Sequence, residues 1–410
     1  MNFISGRSLA GRYILAGITK TTSSSDDSST VTYPVIDNAF YIALYNSAGQ
    51  ITKYLASDIF DSPLVSVEFK LEETGCSDFT LTLNREYADL IFINQRISIY
   101  LFGETSPRYT GYVNARALSG TTTETIEVSG YGYFGKFEKI IINETYENIE
   151  VMAAVSDLIQ NTVAAKTGIT YNSRKMVSTD FTLTGQQFAY ATAKDVLEDL
   201  AGYADDYVYG VDELMEFYFK PRTTTINEDS RLWVGTHLTT FEPEEDMSDL
   251  VNYFYVKYGE EQDDGSYYYL DDDSEPVAFY DQTSIDTYGY YEDVLTMPTA
   301  ITSTDVIRWA QNKLENTKSP TVSAKLSGFT LDVIKRNIKP EGLAVVNCDD
   351  GTQYQYQVTE VDYKISGDDG ITMEITLGSK PDRLDKYIRK LIKAQDDADA
   401  FADLSDTSSS

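Results

Sequence analysis

The chain has 410 residues, which is enough for two to four domains with substantial hydrophobic cores. Its 65 acidic residues against 33 basic ones give a formal charge of −32, which opposes general electrostatic binding to nucleic-acid phosphates. The chain is therefore a poor candidate for gripping DNA through general electrostatics, but it could form a surface that DNA slides past without sticking.

The cysteines and the N-terminal segment give no sign of a zinc-binding, secreted or membrane protein. Cys76 and Cys348 are the only cysteines, and their separation does not match zinc-ligand spacing; a disulfide is possible but nothing requires one. Arg7 and Arg12 interrupt the apolar residues near the start, so the pattern is not that of a signal peptide, and no apolar run is long enough to span a bilayer. We therefore expect cytoplasmic synthesis and no membrane insertion.

The first predicted domain, residues 1–142, is rich in strands. A polar segment at 21–30 is expected to be a flexible loop. From Phe40 onward, apolar and polar residues alternate with a period of two, as in half-buried strands. The 32 tyrosines of the chain, against 2 tryptophans, also favour a β-rich protein with large contact surfaces.

The second predicted domain, residues 143–235, combines helices with a hairpin. Glu150–Ala165 carries an apolar stripe at helical spacing. A second helix begins at Thr192, whose hydroxyl can cap it while Asp195 reaches back from the third position. The segments YVYGV and LMEFYFKP then predict a β-hairpin that ends at Pro221.

Residues 236–325 are predicted to contain strands, an acidic loop and a helix. Asn252–Tyr258 has the composition of a strand, Glu260–Asp273 is an acidic loop, and Thr304–Glu315 has helical periodicity. At the end of the chain, residues 383–410 predict a further helix followed by a disordered tail.

The clearest β pattern lies at residues 326–382. Lys339–Gly342 is a tight turn, and Asp349-Asp350-Gly351 and Asp368-Asp369-Gly370 are hairpin turns of the Asp-Gly type. Ile371–Leu377 alternates cleanly between apolar and polar residues. These features predict a small antiparallel barrel or sandwich of about four strands.

This C-terminal pattern echoes the N-terminal domain. Gly130 lies 27 residues after Gly103, and Gly378 lies 27 residues after Gly351. We predict that Ile97–Gly130 superposes on Leu343–Gly378, although the side-chain phase of the last strand differs by one residue. The predicted fold class is mainly β with a few helices (α+β), multidomain, with two similar small antiparallel β-barrel domains and a helix-hairpin domain.

Two stretches resemble catalytic or nucleotide-binding motifs. Gly130–Lys136 matches both GxGxxG and GxxxxGK, but a β-branched run follows it, and Phe137 stands where a P-loop needs Ser or Thr. We interpret these glycines as a turn or bulge between aromatic strands. His237 is the only histidine and no elbow motif surrounds it. We therefore assign no catalytic, cofactor-binding or metal-binding residue and predict that the protein is not an enzyme.

Acidic and tyrosine-rich clusters are common in the second half of the chain. We interpret the carboxylates of Glu244-Glu245-Asp246, Asp263-Asp264 and Asp271–Asp273 as solvated faces, because none has the spacing of a calcium loop. The tyrosines of Tyr253–Tyr258, Tyr267–Tyr269 and Tyr288–Tyr291 could stack on sugars, but strand packing or subunit contact is favoured.

Taken in order, three features of the C-terminal domain resemble the tail-hub (baseplate-hub) proteins of tailed bacteriophages. They are the Pro340-Glu-Gly342 turn, the aromatic strand that ends in Val358-Thr-Glu-Val361, and the final strand Met373–Gly378 before a helix. The helix and hairpin of the second domain extend the resemblance.

The resemblance implies a structural virion protein at the tail tip or baseplate. It implies a homotrimer whose two similar β-domains per chain form a ring with near six-fold symmetry, which docks on the hexameric tail tube and conducts DNA during ejection. The implied partners are the distal tail protein or tail tube protein, the tape-measure protein, and a spike or fibre protein. The charge of −32 adds the expectation of an acidic bore. The alternatives are a carbohydrate- or receptor-binding tail appendage protein and, third, a cell-wall hydrolase.

Overall fold

The computed structural model describes residues 40–55, 64–117, 123–179, 181–183, 186–204, 206–258, 277–297, 303–366 and 370–378. These residues are mainly in strands, which confirms the predicted mainly-β class with a few helices. The predicted 21–30 loop, the acidic loop at 260–273 with its tyrosines, and the helix and tail at 383–410 lie outside the described residues.

The N-terminal strands form an antiparallel set. Their bounds are β1 (Phe40–Tyr45), β2 (Ile51–Leu55), β3 (Leu64–Glu72), β4 (Gly75–Asn84), β5 (Arg96–Leu101), β6 (Tyr109–Arg116) and β7 (Thr125–Gly132). A 3-10 turn, Arg85–Leu90, connects β4 to β5. Because β3 alternates, Val67 and Phe69 face the core while Glu68 faces solvent. We call β3–β7 the first repeat.

Residues 133–222 form the helical unit. It begins with a 3-10 turn, Tyr133–Lys139, and contains a π-helical stretch, Leu158–Val163, between its first two α-helices. Its elements are β8 (Ile141–Tyr146), β9 (Ile149–Glu150), α1 (Val151–Asp157), α2 (Ala164–Thr167), β10 (Thr170–Met176), β11 (Thr182–Leu183), β12 (Gln186–Thr192), α3 (Ala193–Gly202), β13 (Tyr207–Val211) and β14 (Glu216–Pro221).

Two local predictions for the helical unit are confirmed. Thr192 caps α3, because its Oγ1 accepts a hydrogen bond from the backbone N–H of Asp195 at 3.1 Å and donates one to the Asp195 carboxylate at 2.7 Å. The predicted hairpin is the antiparallel pair β13 and β14.

The remaining described elements complete the fold. They are β15 (Ile226–Trp233), β16 (Thr240–Asp246), β17 (Tyr253–Tyr258), β18 (Val277–Tyr280), α4 (Gln282–Tyr288), β19 (Glu292–Met297), α5 (Ser303–Thr317), β20 (Thr321–Ser327), α6 (Leu331–Ile334), β21 (Leu343–Asn347), β22 (Gln353–Ser366) and β23 (Gly370–Gly378). We call residues 247–320, between β16 and β20, the insert, and the set β16, β20–β23 the second repeat. The paired strands β16 and β20 extend this repeat beyond the predicted domain at 326–382.

The two repeats have the same strand connections. Each repeat begins with two paired strands, β3–β4 or β16–β20. A short helical turn and a three-stranded meander follow. The last strand of the meander pairs with the second of the two initial strands. The backbone hydrogen bonds match as well: Val113 N–H donates to the Gln95 carbonyl at 3.0 Å, and Val358 N–H donates to the Gly342 carbonyl at 3.1 Å. The predicted duplication therefore has topological support.

Superposing a β-bulge that both repeats contain removes the one-residue phase difference. The middle strand of each meander steps over one residue, Asn114 in β6 and Thr359 in β22. Val113 pairs with Gly130, and the equivalent Val358 pairs with Leu377. Gly130 thus corresponds to Leu377 and not to Gly378, which brings the buried positions of the two last strands into the same phase.

The two repeats share one sheet and do not close as separate barrels. β22 is long enough to pair with β21 through its first half and with β3 through its second half. The resulting path, β16-β20-β23-β22-β3-β4-β7-β6, crosses both repeats without a break. Their core is also shared, since Phe69 of the first repeat stacks on Tyr363 of the second with ring centroids 4.8 Å apart.

Arg108 ties the first repeat to the second. Its side chain is fully buried, and it forms two hydrogen bonds with Glu104, at 2.7 and 2.5 Å. It also donates to the Tyr363 hydroxyl at 3.1 Å and to the carbonyls of Ile334 and Lys335 at 3.1 and 2.9 Å. Because a buried guanidinium is costly without acceptors, this network specifies how the repeats are joined.

We predict that Arg108→Met lowers the free energy of unfolding by about 3–5 kcal/mol, because it leaves Glu104 and two backbone carbonyls without their donor. Urea denaturation followed by tyrosine fluorescence measures the change. Arg231→Met is the matched control, since Arg231 pairs with Glu228 on the exposed surface and its loss should leave the midpoint almost unchanged. Equal midpoints for the two variants would contradict the role given to Arg108.

Candidate functional site

The polar face of the continuous sheet is the candidate functional surface. Along β3, Leu64, Val67, Phe69 and Leu71 point into the core, so the residues between them point to the opposite face. The same alternation holds in β22, β23, β4 and β7. The face is therefore continuous from the second repeat to the first.

Strand register arranges this face in rows. One row joins Thr372, Lys364, Glu68, Thr80 and Ser129 across five strands. A parallel row joins Glu374, Asp362 and Lys70. Since directly opposite side chains lie within contact distance, charges in one row interact across strands.

Carboxylates outnumber basic side chains on this face, which we call the acidic face. Its described carboxylates are Glu68, Glu72, Asp78, Glu127, Glu242, Glu244, Asp246, Glu360, Asp362 and Glu374, and its described basic residues are Lys70, Lys325, Lys364 and, at its β5 end, Arg96.

The lysines of the acidic face lie against carboxylates. Lys70 Nζ lies 3.2 Å from Glu360 Oε1, and Lys364 Nζ lies 2.9 Å from Glu68 Oε1. Lys325 stands opposite Glu242 in the register of β16 and β20. The remaining charge is negative, so the face repels polyanions at short range.

Asp362 has the most perturbed carboxyl group of the acidic face. Partial burial, together with a hydrogen bond to Glu360 and its charge, raises the pKa of Asp362 to about 7, against the opposing effect of Lys70. Lys70 Nζ is 3.8 Å from Asp362 Oδ1, farther than from Glu360. Burial, and then the neighbouring negative charge, thus favour proton uptake at this carboxyl group.

The nucleotide-like glycines have structural roles. Gly130 and Gly132 lie inside β7 and not in a turn, and a Cβ atom at either would come within 2.0 or 1.8 Å of a backbone oxygen of a neighbouring strand. Lys136 lies in a 3-10 turn, where its Nζ donates to Asn94 Oδ1 at 2.8 Å and lies 4.5 Å from the centroid of the Tyr112 ring. The strand β8 follows at Ile141.

His237 is placed for packing. Its ring meets Trp233 edge to face at 5.3 Å, and its Nε2 lies 3.3 Å from a guanidinium nitrogen of Arg336. Burial, and then the Arg336 charge, lower the pKa of His237. Cys76 is buried, Cys348 is partly exposed, and both are free thiols.

Tyrosines of the insert form a partly exposed cluster. The rings of Tyr253 and Tyr280 stack with centroids 5.5 Å apart, and Tyr290 lies 6.2 Å from Tyr253. Tyr290 is 66% exposed, whereas Phe254 and Val256 on the same strand as Tyr253 are buried. These tyrosines are therefore not packed in the core of the chain.

In the described ranges, no helix is both long and apolar enough to cross a bilayer. Within the same ranges, no group of three or more His, Cys, Asp or Glu side chains is arranged to hold a metal ion.

Three solved structures share this fold across nearly their whole length. The 43 kDa tail protein of prophage MuSo2 from Shewanella oneidensis is 14% identical, with a TM-score of 0.61, and the match covers 83% of this chain and 98% of that one. The tail protein from Neisseria meningitidis MC58 is 11% identical, with a TM-score of 0.57 and coverage of 83% and 97%. The prophage tail protein gp18 from Listeria monocytogenes EGD-e is 11% identical, with a TM-score of 0.55 and coverage of 87% and 98%.

The likeness lies in structure and not in sequence. The sequence matches no protein-family model and no curated protein. The chain has the fold of phage tail proteins, which confirms the resemblance to that group at the level of fold.

We predict that Asp362→Asn stabilises the protein at pH 8 by about 1 kcal/mol after solvent screening, and that this gain disappears toward pH 4. The pKa of Asp362 is raised in the folded state, so the folded protein binds the extra proton between pH 4 and 7 and loses stability as the pH rises through this window. Thermal melting at both pH values measures the effect. Glu127→Gln, three strands away on the same face, is the control, and an equal gain from it at pH 8 would contradict a local cause.

Proposed function

We propose that this chain is a structural component of a phage tail: the hub that closes the distal end of the tail tube, with its acidic face lining the conduit for DNA. The observation that carries the proposal is the unbroken acidic face, which runs over both repeats on one sheet. A surface specialised for passage rather than binding has to present few cations to the phosphates.

The electrostatics of the acidic face suit this role. Screening at physiological salt limits the effect of a charge to about 8–10 Å, so only groups on the wall of a channel act on a passing duplex. In the proposed ring the acidic face would put carboxylates on that wall, and two of its lysines, Lys70 and Lys364, are already paired with carboxylates. DNA in transit then meets no favourable electrostatic contacts that would hold it.

The proposed assembly is a homotrimer at the tail tip or baseplate of the virion, formed from chains synthesised in the host cytoplasm. Two topologically equivalent repeats per chain would give three chains a near six-fold ring, matched to a hexameric tube. The distal tail or tail tube protein, the tape-measure protein and a spike or fibre protein are the partners that this position implies.

We propose no catalytic role for the chain. The side chain that would contact phosphate in a P-loop, Lys136, is engaged by Asn94 and by the Tyr112 ring. The proteins that share the fold are described as tail proteins. A cell-wall hydrolase remains the third reading, and cleavage of purified peptidoglycan would establish it.

The insert favours a second candidate function, a carbohydrate- or receptor-binding appendage. The partly exposed cluster of Tyr253, Tyr280 and Tyr290 offers ring faces on which sugars can stack. Binding of the isolated chain to glycans or host cell envelopes, lost in Tyr280→Ala and Tyr290→Ala, would support this function over the hub.

We predict that the purified full chain has the mass of a trimer and appears as a ring with a central opening in electron micrographs. The physical reason is the continuation of one sheet through equivalent repeats. Sedimentation velocity at micromolar concentration measures the mass, and negative-stain imaging shows the ring. A monomer that no tail partner converts to a trimer would overturn the ring.

We predict that Glu127→Lys, Glu244→Lys and Glu374→Lys together make the ring retain DNA, because each new lysine in the bore gains a phosphate contact. The salt dependence should steepen by about 0.9 in log–log slope for each phosphate contacted. Gel mobility shift with duplex DNA at several salt concentrations provides the test. The control carries Asp89→Lys, Glu198→Lys and Asp286→Lys, the same change of charge at exposed positions off the sheet, and equal retention by both would contradict an acidic bore.

A further inference from the structure

The first repeat exposes an apolar turn. Phe92 and Ile93 lie between the 3-10 turn and β5, and each is 56% exposed. Arg116 supports the turn by donating to the Ile91 carbonyl at 2.7 Å and by lying 5.5 Å from the Phe92 ring centroid. Two adjacent large apolar side chains held in place at the surface point to a contact that is absent from the isolated chain.

The equivalent turn of the second repeat is partly covered within the chain. The matched hydrogen bonds make Gln95 equivalent to Gly342. Lys339 and Pro340 are therefore the residues of the second repeat that correspond to Phe92 and Ile93. Lys339 Nζ bonds to Glu213 at 2.5 Å, so this turn rests on the loop between β13 and β14. It also lines a cavity of about 380 Å³ together with Glu73, which directly follows β3.

The junction between the repeats has a second component, the pairing of β22 with β3. Seven residue pairs, from Glu360↔Glu72 to Ser366↔Ser66, join these strands. The strand equivalent to β3 is β16, which stands at one end of the described sheet path with its outer edge unpaired. The strand equivalent to β22 is β6, in which Asn114 and Ala115 are exposed.

We infer that the turn at Phe92–Ile93 of one copy packs against the base of the insert of a second copy, beside the outer edge of that copy's β16. Met247, which is 38% exposed and directly follows β16, is the counterpart of Glu73 and the expected apolar partner. The contact repeats the internal junction between two chains, with Phe92 and Ile93 in the place of Lys339 and Pro340 and with Met247 in the place of Glu73. It rests on the proposed ring.

Strand addition at the outer edge of β16 is not part of this contact. Pro243 lacks an N–H, and the neighbouring Glu242, Glu244 and Glu245 are exposed, which are devices that keep an edge strand unpaired. The inferred contact is therefore made by the side chains of the turn.

The test compares the full chain with Ile93→Asp and with Val177→Asp, an exposed apolar residue of the helical unit that serves as the control. Sedimentation velocity measures self-association, and circular dichroism melts verify that each variant folds. We expect Ile93→Asp to weaken self-association by roughly tenfold or more and Val177→Asp to match the wild type.

A cross-linking measurement identifies the partner surface. Ile93→Cys and Met247→Cys are combined in a Cys348→Ser background and treated with a short bismaleimide, and we expect covalent dimers and trimers that neither single variant yields. Oligomers that form equally well with Ile93→Asp and do not cross-link would overturn this interface while leaving the ring in place. A chain that stays monomeric at micromolar concentration and does not cross-link would overturn the interface, and the ring would then depend on its tail partners.

Discussion

A buried guanidinium joins the two repeats of the chain. Arg108 belongs to the first repeat, but three of its acceptors, the Tyr363 hydroxyl and two carbonyls around α6, belong to the second. The cost of removing a permanent charge from water is offset only when these acceptors are in place. The network therefore disfavours other relative positions of the repeats, and the continuous sheet that carries the acidic face depends on that one arrangement.

Local features of the fold were predictable because local chemistry determines them. Thr192 caps a helix through its own hydroxyl, and Gly351 adopts the positive φ that the Asp-Gly turn requires. The long-range pairings were not predictable from periodicity. Nothing in the alternation of β22 distinguishes the half that pairs with β21 from the half that pairs with β3. Likewise, β20, the partner of β16, lies beyond a 74-residue insert.

In the acidic face, too, the local features were predictable from the sequence and the long-range ones were not. Alternation along β3 indicates that Glu68 and Lys70 share a solvent face, so their exposure follows from the sequence. That Asp362 and Lys364 lie beside these residues depends on the register between β3 and β22, which are almost 300 residues apart. The composition had indicated an acidic protein, and only the fold concentrates part of that charge on one side of one sheet.

The pairing of β3 with β22 also has a consequence for biosynthesis. During translation, the first repeat leaves the ribosome long before the strand that covers the edge of β3 has been made. Until then this edge presents unpaired backbone groups beside a half-covered core, which is the kind of surface that promotes association of nascent chains. Contacts so distant in sequence also slow folding. Completion of the N-terminal half is thus coupled to completion of the chain, and truncated chains that lack the second repeat should accumulate as aggregates rather than as folded fragments.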